Sequence, residues 1–373
     1  MTDDSELALG AKGRARIAGA LVGLAVLGAA LALGAPACGT GGEASKGGMF
    51  GLPHAGLGPF RRLDTSELWH GRLAMAEGSL VESGMVLRGA GPAPVLFYAA
   101  AELAPAPPPS DAGTDLDAGM PADAGPPEPD LAQFLPRRIL RSDPGDGPKF
   151  AGGEVVLEAS EAWEGDSVYD PWAVVLASGR VRLYYAASGG IGIAEADSAI
   201  GAFTRVGTGP VLPGLRRPTI APRLDGSAGV WLYAEDSGSI VVASSADGLV
   251  FDAPSAVDLG FASGDGGPAQ LSVGSPAAGL HRPEADPPRI VLFFESRRAD
   301  GTRTLGMAAS PTGLAFERAT LPAFGGDVRE GFPAPDFVDA HTTMLYFTVA
   351  NRLRGVASRG LTVAVSPGTL RFD

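Results

Sequence analysis

Apolar residues in this chain fall into short, dense runs separated by Gly, Pro, Asp and Ser. Five runs share an aromatic character: Val95–Tyr98 (VLFY), Val181–Tyr185 (VRLYY), Val230–Tyr233 (VWLY), Ile290–Phe294 (IVLFF) and Met344–Phe347 (MLYF). Runs this short, rich in Val, Ile, Tyr and Phe and bounded by turn residues, predict strands. Their unbroken apolar character predicts that both faces are covered.

A second element follows each run. It places a Ser or Asp before a turn, then an apolar residue, then Phe. It reads ASSADGLVF at 243–251, AASPTGLAF at 308–316 and AVSPGTLRF at 364–372, with looser copies AEADSAIGAF at 194–203 and SDPGDGPKF at 142–150. The closing residues Phe150, Phe203, Phe251, Phe316 and Phe372 are spaced by 53, 48, 65 and 56 positions. Each unit holds about four short strands in roughly 50 residues, the size of a propeller blade. Five units follow, at about 70–155, 165–213, 215–262, 268–322 and 329–373. Period and internal order agree in all five, which favours an all-β, five-bladed β-propeller with blades of about four antiparallel strands over a β-sandwich with chance similarity. The propeller domain is assigned to residues 56–373.

Two details refine this reading. Residues 104–130 are Pro-, Ala- and Asp-rich without an aromatic residue, which predicts a disordered insert in the first blade. Asp111, Asp115 and Asp117 within it do not match the spacing of a calcium loop. The last repeat stops at Phe372-Asp373, so its outer strand has to come from elsewhere. The segment Gly58–Leu63 (GPFRRL) is the candidate, a strand borrowed from the other end to cover the exposed edge.

The composition changes the picture at two points. With 54 Gly, 32 Pro and a net charge of -13, the chain suits turns and short strands and argues against a nucleic-acid partner. The acidity admits a cationic partner, and it equally serves solubility. The N-terminus is different in kind. Lys12, Arg14 and Arg16 precede the apolar run Ile17–Gly34, which is followed by Ala35-Pro36-Ala37-Cys38. This is the layout of a secretory signal. Cys38 is the only cysteine in the chain, and residues 1–38 resemble a bacterial lipoprotein signal, which implies acylation of Cys38 and a membrane lipid partner. Ala35 stands where that pattern usually has Leu. Cleavage at the A-x-A site or a retained anchor remain alternatives. Gly39 after the cysteine implies the outer membrane, facing the periplasm or the cell surface. Residues 39–55 read as a flexible tether.

The first strand of each propeller blade lines the central channel, so candidate chemistry belongs there. The segments are Leu80–Met85 (LVESGM), Val168–Ala173 (VYDPWA), Arg216–Ala221 (RRPTIA), Ser272–Ala277 (SVGSPA) and Arg329–Ala334 (REGFPA). Each carries a polar or small residue before an apolar stretch, often with Pro next. Through Tyr169-Asp170-Pro171-Trp172, Leu183-Tyr184-Tyr185 and the Ser-x-x-Gly-Leu-x-Phe element, the chain resembles the five-bladed glycosidases of the arabinanase, levansucrase and invertase type. That resemblance implies three acids on the first strands of the first three blades, one a base or nucleophile, one tuning and one the general acid. By position Glu82 is the implied base and Asp170 the tuning residue, while the third blade offers Arg217 instead of an acid. Glu330 on the fifth blade is a further candidate, and Glu235 follows a second strand, away from the axis. Arg217 suits a carboxylate or phosphate on a sugar, and Trp172 suits stacking on a sugar ring.

Other chemistries find no support. The sequence has no G-x-S-x-G elbow and no P-loop, and His54, His70, His281 and His341 lack zinc spacing, so neither a metal nor a cofactor is expected. Two readings follow: a binding or scaffold propeller that holds a glycan or a partner, and an active glycoside hydrolase. The missing third-blade acid favours the first.

Overall fold

The structure, a computed structural model, describes residues 59–62, 79–102, 136–143, 153–260, 270–284, 286–298, 303–319, 323, 330–353, 356–367, 370 and 372. The signal-like segment with Cys38, the tether at 39–55, the insert at 104–130 and Phe150 lie outside these residues. Among the described residues no helix is long and apolar enough to cross a membrane, and the one helical piece is a 3-10 turn at Ala162–Glu164.

The described strands form a five-bladed β-propeller of antiparallel blades. Blade 1 holds Ser79–Leu87, Val95–Glu102, Arg138–Ser142 and Glu154–Leu157. Blade 2 holds Val168–Val175, Val181–Ala187, Gly190–Ala196 and Thr204–Arg205, with Leu212–Pro213 also pairing to its third strand. Blade 3 holds Arg216–Pro222, Val230–Asp236, Ser239–Ser245 and Ser255–Ala256. Blade 4 holds Gln270–His281, Arg289–Arg298, Arg303–Ser310 and Glu317–Arg318. Blade 5 holds Glu330–Phe337, Thr342–Leu353 and Val356–Pro367. The five aromatic runs are the second strands. In blade 2 every residue of the second and third strands is buried, as expected for strands packed between neighbouring blades.

The fifth blade takes its fourth strand from the other end of the sequence. Arg61 and Arg62 pair antiparallel with Val365 and Ala364. Phe60 is buried and meets Phe293 of blade 4 edge-on, with ring centroids 5.6 Å apart. Blades 1 and 5 are further joined by a bridge between Leu80 and Arg359, and by Arg88, whose Nε and Nη2 bind both oxygens of buried Asp336 at 2.6 and 2.7 Å.

The repeated Ser-x-x-Gly-x-x-Phe element locks one blade to the next. In blade 3 the Ser245 hydroxyl accepts the Gly248 amide at 2.8 Å, and in blade 4 Ser310 does the same for Gly313. The glycine carbonyl then accepts a tyrosine hydroxyl from the preceding blade: Tyr184 to Gly248 at 2.8 Å and Tyr233 to Gly313 at 2.7 Å. The closing Phe251 and Phe316 meet those same tyrosine rings edge-on. Only glycine fits, since φ is +72° at Gly248 and +95° at Gly313, and a Cβ would lie 2.6 and 2.7 Å from the two tyrosine oxygens.

Candidate functional site

The site is built by one local device repeated around the ring. Each first strand loses register with its neighbour at the same point: between Glu82 and Gly84, Tyr169 and Trp172, Arg216 and Thr219, Gly274 and Ala277, and Gly331 and Ala334. These are β-bulges, which leave a residue unpaired and re-aim its side chain. The bulged residue has a left-handed backbone in every blade: Ser83 (φ 41°), Asp170 (51°), Arg217 (56°), Ser275 (48°) and Phe332 (53°). Four of the five precede a proline, which has no amide to give to the ladder. None is glycine, although each such position costs about 1–2 kcal/mol for an L side chain. Strain kept at five equivalent positions points to side chains that are needed there.

All five line one cleft, together with Trp172, Met85 and the ring prolines. Its enclosed volume is about 30 Å³, room for a small polar group, and the mouth opens to solvent. The described walls are mostly apolar, so the polar groups among them stand out.

Asp170 is the distinctive one. It is 5% exposed, its Oδ1 is buried without a close hydrogen-bond partner, and the one uncharged donor that acts on the carboxyl is the neighbouring Ser83 hydroxyl, itself buried. Burial pushes the Asp170 carboxyl up to about 6; Arg217, the Ser83 hydroxyl and Arg137 oppose this shift and the charge of Glu82 adds to it.

Arg217 is held in a dense network. Its Nη1 donates to Glu235 Oε2 at 2.9 Å and to the Ser275 hydroxyl, and lies 3.8 Å from Glu295 Oε1. Glu235 Oε2 also accepts the Ser275 amide at 2.9 Å, and Glu295 Oε1 accepts the Ser275 hydroxyl at 2.5 Å and the Phe332 amide at 2.8 Å. The guanidinium stacks over the Phe332 ring at 4.3 Å. Burial works against its charge, and Glu295, Asp170, Glu235 and Glu82 outweigh burial and keep it ionised.

The candidates from sequence therefore separate. Asp170, Arg217 and Trp172 meet at the cleft. Glu82 is 3% exposed and sits one residue before the ring position, which belongs to Ser83; its Oε2 accepts Arg137 Nη1 at 2.8 Å. Arg137 in turn lies 3.8 Å over the Tyr169 ring. Glu330 opens the first strand of blade 5, paired with Val349, two residues before the ring position Phe332; its side chain is outside the described residues. Glu235, expected away from the axis, contacts Arg217 directly. Glu235 and Glu295 occupy the same place in adjacent blades, each five residues after the start of an aromatic run, and that parallel was visible in the sequence. Among the described residues no cluster of three or more His, Cys, Asp or Glu is arranged to hold a metal.

No protein-family model and no curated protein matches the chain. Solved structures do. A β-1,2-mannobiose phosphorylase from Listeria innocua matches over 82% of this chain and 94% of its own, at 14% identity and a TM-score of 0.53. An endo-arabinase from Bacteroides thetaiotaomicron matches over 80% and 97%, at 13% identity and 0.51. An N-acetylgalactosamine deacetylase from F. plautii, solved with blood group B trisaccharide, matches over 85% and 94%, at 11% identity and 0.51. The chain thus has the five-bladed fold of the arabinanase-type glycosidases. The names of these three structures cover different reactions, so this fold alone fixes no chemistry.

Proposed function

We propose that the protein is a glycan-binding propeller of the cell envelope that does not cleave glycosidic bonds. One observation carries this reading. The ring positions of the first three blades hold Ser83, Asp170 and Arg217, a single carboxyl where glycoside cleavage calls for a converging pair. The other carboxylates nearby are engaged: Glu82 by Arg137, and Glu235 and Glu295 by Arg217, Ser275 and the Phe332 amide. A buried acceptor beside an indole and several prolines suits a sugar, which has hydroxyl donors and apolar ring faces. Acylated Cys38 and the tether at 39–55 hold the domain at the membrane surface.

A hydrolase reading has one observation in its favour: a carboxyl near 6 is poised to act as a general acid at neutral pH. Glycan-array binding by the full-length protein in detergent, followed by a reducing-sugar assay on every bound glycan, separates the two. We expect binding without sugar release. Release abolished by Asp170→Asn would make the protein a hydrolase, and binding to no glycan would overturn both readings. The anchor is tested by palmitate labelling, with Cys38→Ser expected to abolish the label and move the protein to the soluble fraction. A labelled Cys38→Ser variant would exclude lipidation at that residue.

A further inference from the structure

The charge balance around the cleft narrows the class of ligand. Asp170 lines the cleft, and Glu82, Glu235 and Glu295 stand behind the lining, near Arg217. All four act on the Arg217 guanidinium. Three guanidiniums answer them. Arg137 is bound to Glu82, Arg217 to Glu235, and the more exposed Arg216 has Nη2 3.7 Å from Glu235. Among these described residues, the carboxylates outnumber the guanidiniums by one.

The shortfall falls at Asp170. Arg217 is turned toward Glu235, Glu295 and Ser275 and rests on Phe332, so it compensates Asp170 from a distance without donating to Oδ1. A buried carboxylate oxygen in an apolar-walled cleft is costly unless a donor reaches it, and a charged donor satisfies it best. Ser83, in the same cleft, turns its hydroxyl to the Asp170 carboxyl, and the lone pairs of its oxygen supply an acceptor beside it. A net charge of -13 raises the local concentration of cations over the whole surface.

We propose that the cleft recognises a sugar carrying a free, protonated amine, with the ammonium seated against Asp170 Oδ1 and Ser83 Oγ and the sugar face against Trp172. This rests on the glycan-binding reading and specifies it. An N-acetylated sugar lacks the charge and presents one N–H in place of three. A neutral sugar brings no charge to the Asp170 carboxylate.

The test is titration calorimetry on the full-length protein with glucosamine oligomers and with their N-acetylated counterparts at pH 7. We expect the amine form to bind at least about tenfold more tightly, the scale of one charged hydrogen bond. Binding should weaken as pH falls through about 6 and Asp170 takes up a proton, since its neighbours Glu82, Arg137 and Arg217 stay paired. Asp170→Asn should remove the preference while leaving the fold intact by circular dichroism, and Ser83→Ala should reduce it. Equal binding of the two forms, or a preference that survives Asp170→Asn, would overturn the inference. In that outcome a neutral glycan that still depends on Asp170 would leave the glycan-binding reading standing. Binding of neither oligomer nor any arrayed glycan would remove both.

Discussion

Glu164 and Asp170 lie six residues apart, both carboxyls buried in the same blade, and they behave in opposite ways. Glu164 ends the 3-10 turn and accepts hydrogen bonds from the Tyr185 hydroxyl at 2.6 Å, from Arg205 Nε and Nη2 at 2.7 and 2.8 Å, and from the amides of Ser160 and Glu161. Burial pushes against its charge, yet Arg205, Tyr185 and the two amides hold it down to about 2. Asp170 is buried as deeply, one of its oxygens has no donor, and its carboxyl rises to about 6. Burial sets the size of the penalty, and donors decide who bears it. A buried carboxyl with every lone pair engaged is part of the scaffold. On the proposed reading, a buried carboxyl with an idle oxygen in a residue that lines a cleft is the group a ligand would meet.

The contrast breaks most visibly at Glu164. Glu164→Ala leaves Arg205 and the Tyr185 hydroxyl without their acceptor and should cost about 3 kcal/mol in urea unfolding at pH 7. A loss under about 1 kcal/mol would show that the network does not hold the blade.

Asp170→Asn should have the opposite sign, raising stability by about 1–3 kcal/mol at pH 8 and by little at pH 3.5. The direction follows from linkage. The folded Asp170 holds its proton up to about 6 while the unfolded carboxyl loses it near 3.8, so ionisation destabilises the fold as pH rises through that window. For Glu164 the folded value of about 2 lies below the unfolded 4.5, so its contribution is complete above 4.5 and is lost as pH falls toward 2. Urea midpoints of each variant against wild type across pH 2.5–8 read both slopes.

Smaller effects sharpen the distinction between scaffold and site. Tyr233→Phe removes the hydroxyl that reaches Gly313 across the blade interface and should lower stability by about 1 kcal/mol, measured by urea unfolding. Ser83→Gly relieves the left-handed strain and gives up only the hydroxyl's interaction with Asp170, and should raise stability by at most about 1 kcal/mol, read as a higher thermal midpoint. A destabilised Ser83→Gly would mean that the serine serves the fold.

The scaffold was more legible in the sequence than the site, for a physical reason. Phe251 and Phe316 recur because each fills the same interface between blades, and a repeated contact leaves a repeated letter. The closing strand at Arg61–Arg62 falls within Gly58–Leu63, the segment the sequence offered for it. At the channel, the residue before proline marked the ring in four blades. In blade 1 the mark is missing, because Gly84 stands in place of proline, and the acidic Glu82 drew attention one residue too early. Glu235 reaches Arg217 because the bulge brings the first strand's side chain back to the end of the second, a geometry that spacing does not reveal. The role of Glu164 depends on Arg205, 41 residues away, and no local pattern announces that pairing.

The idle oxygen of Asp170 is the feature on which the proposed binding site rests. Its titration can be followed directly by the side-chain carboxyl carbon shift in carbon-13-labelled protein, assigned by comparison with Asp170→Asn. A midpoint near 6 is expected for the free protein. A midpoint at or below the ordinary 3.8 would mean that donors already satisfy the carboxyl, and Asp170 would then belong to the scaffold with Glu164.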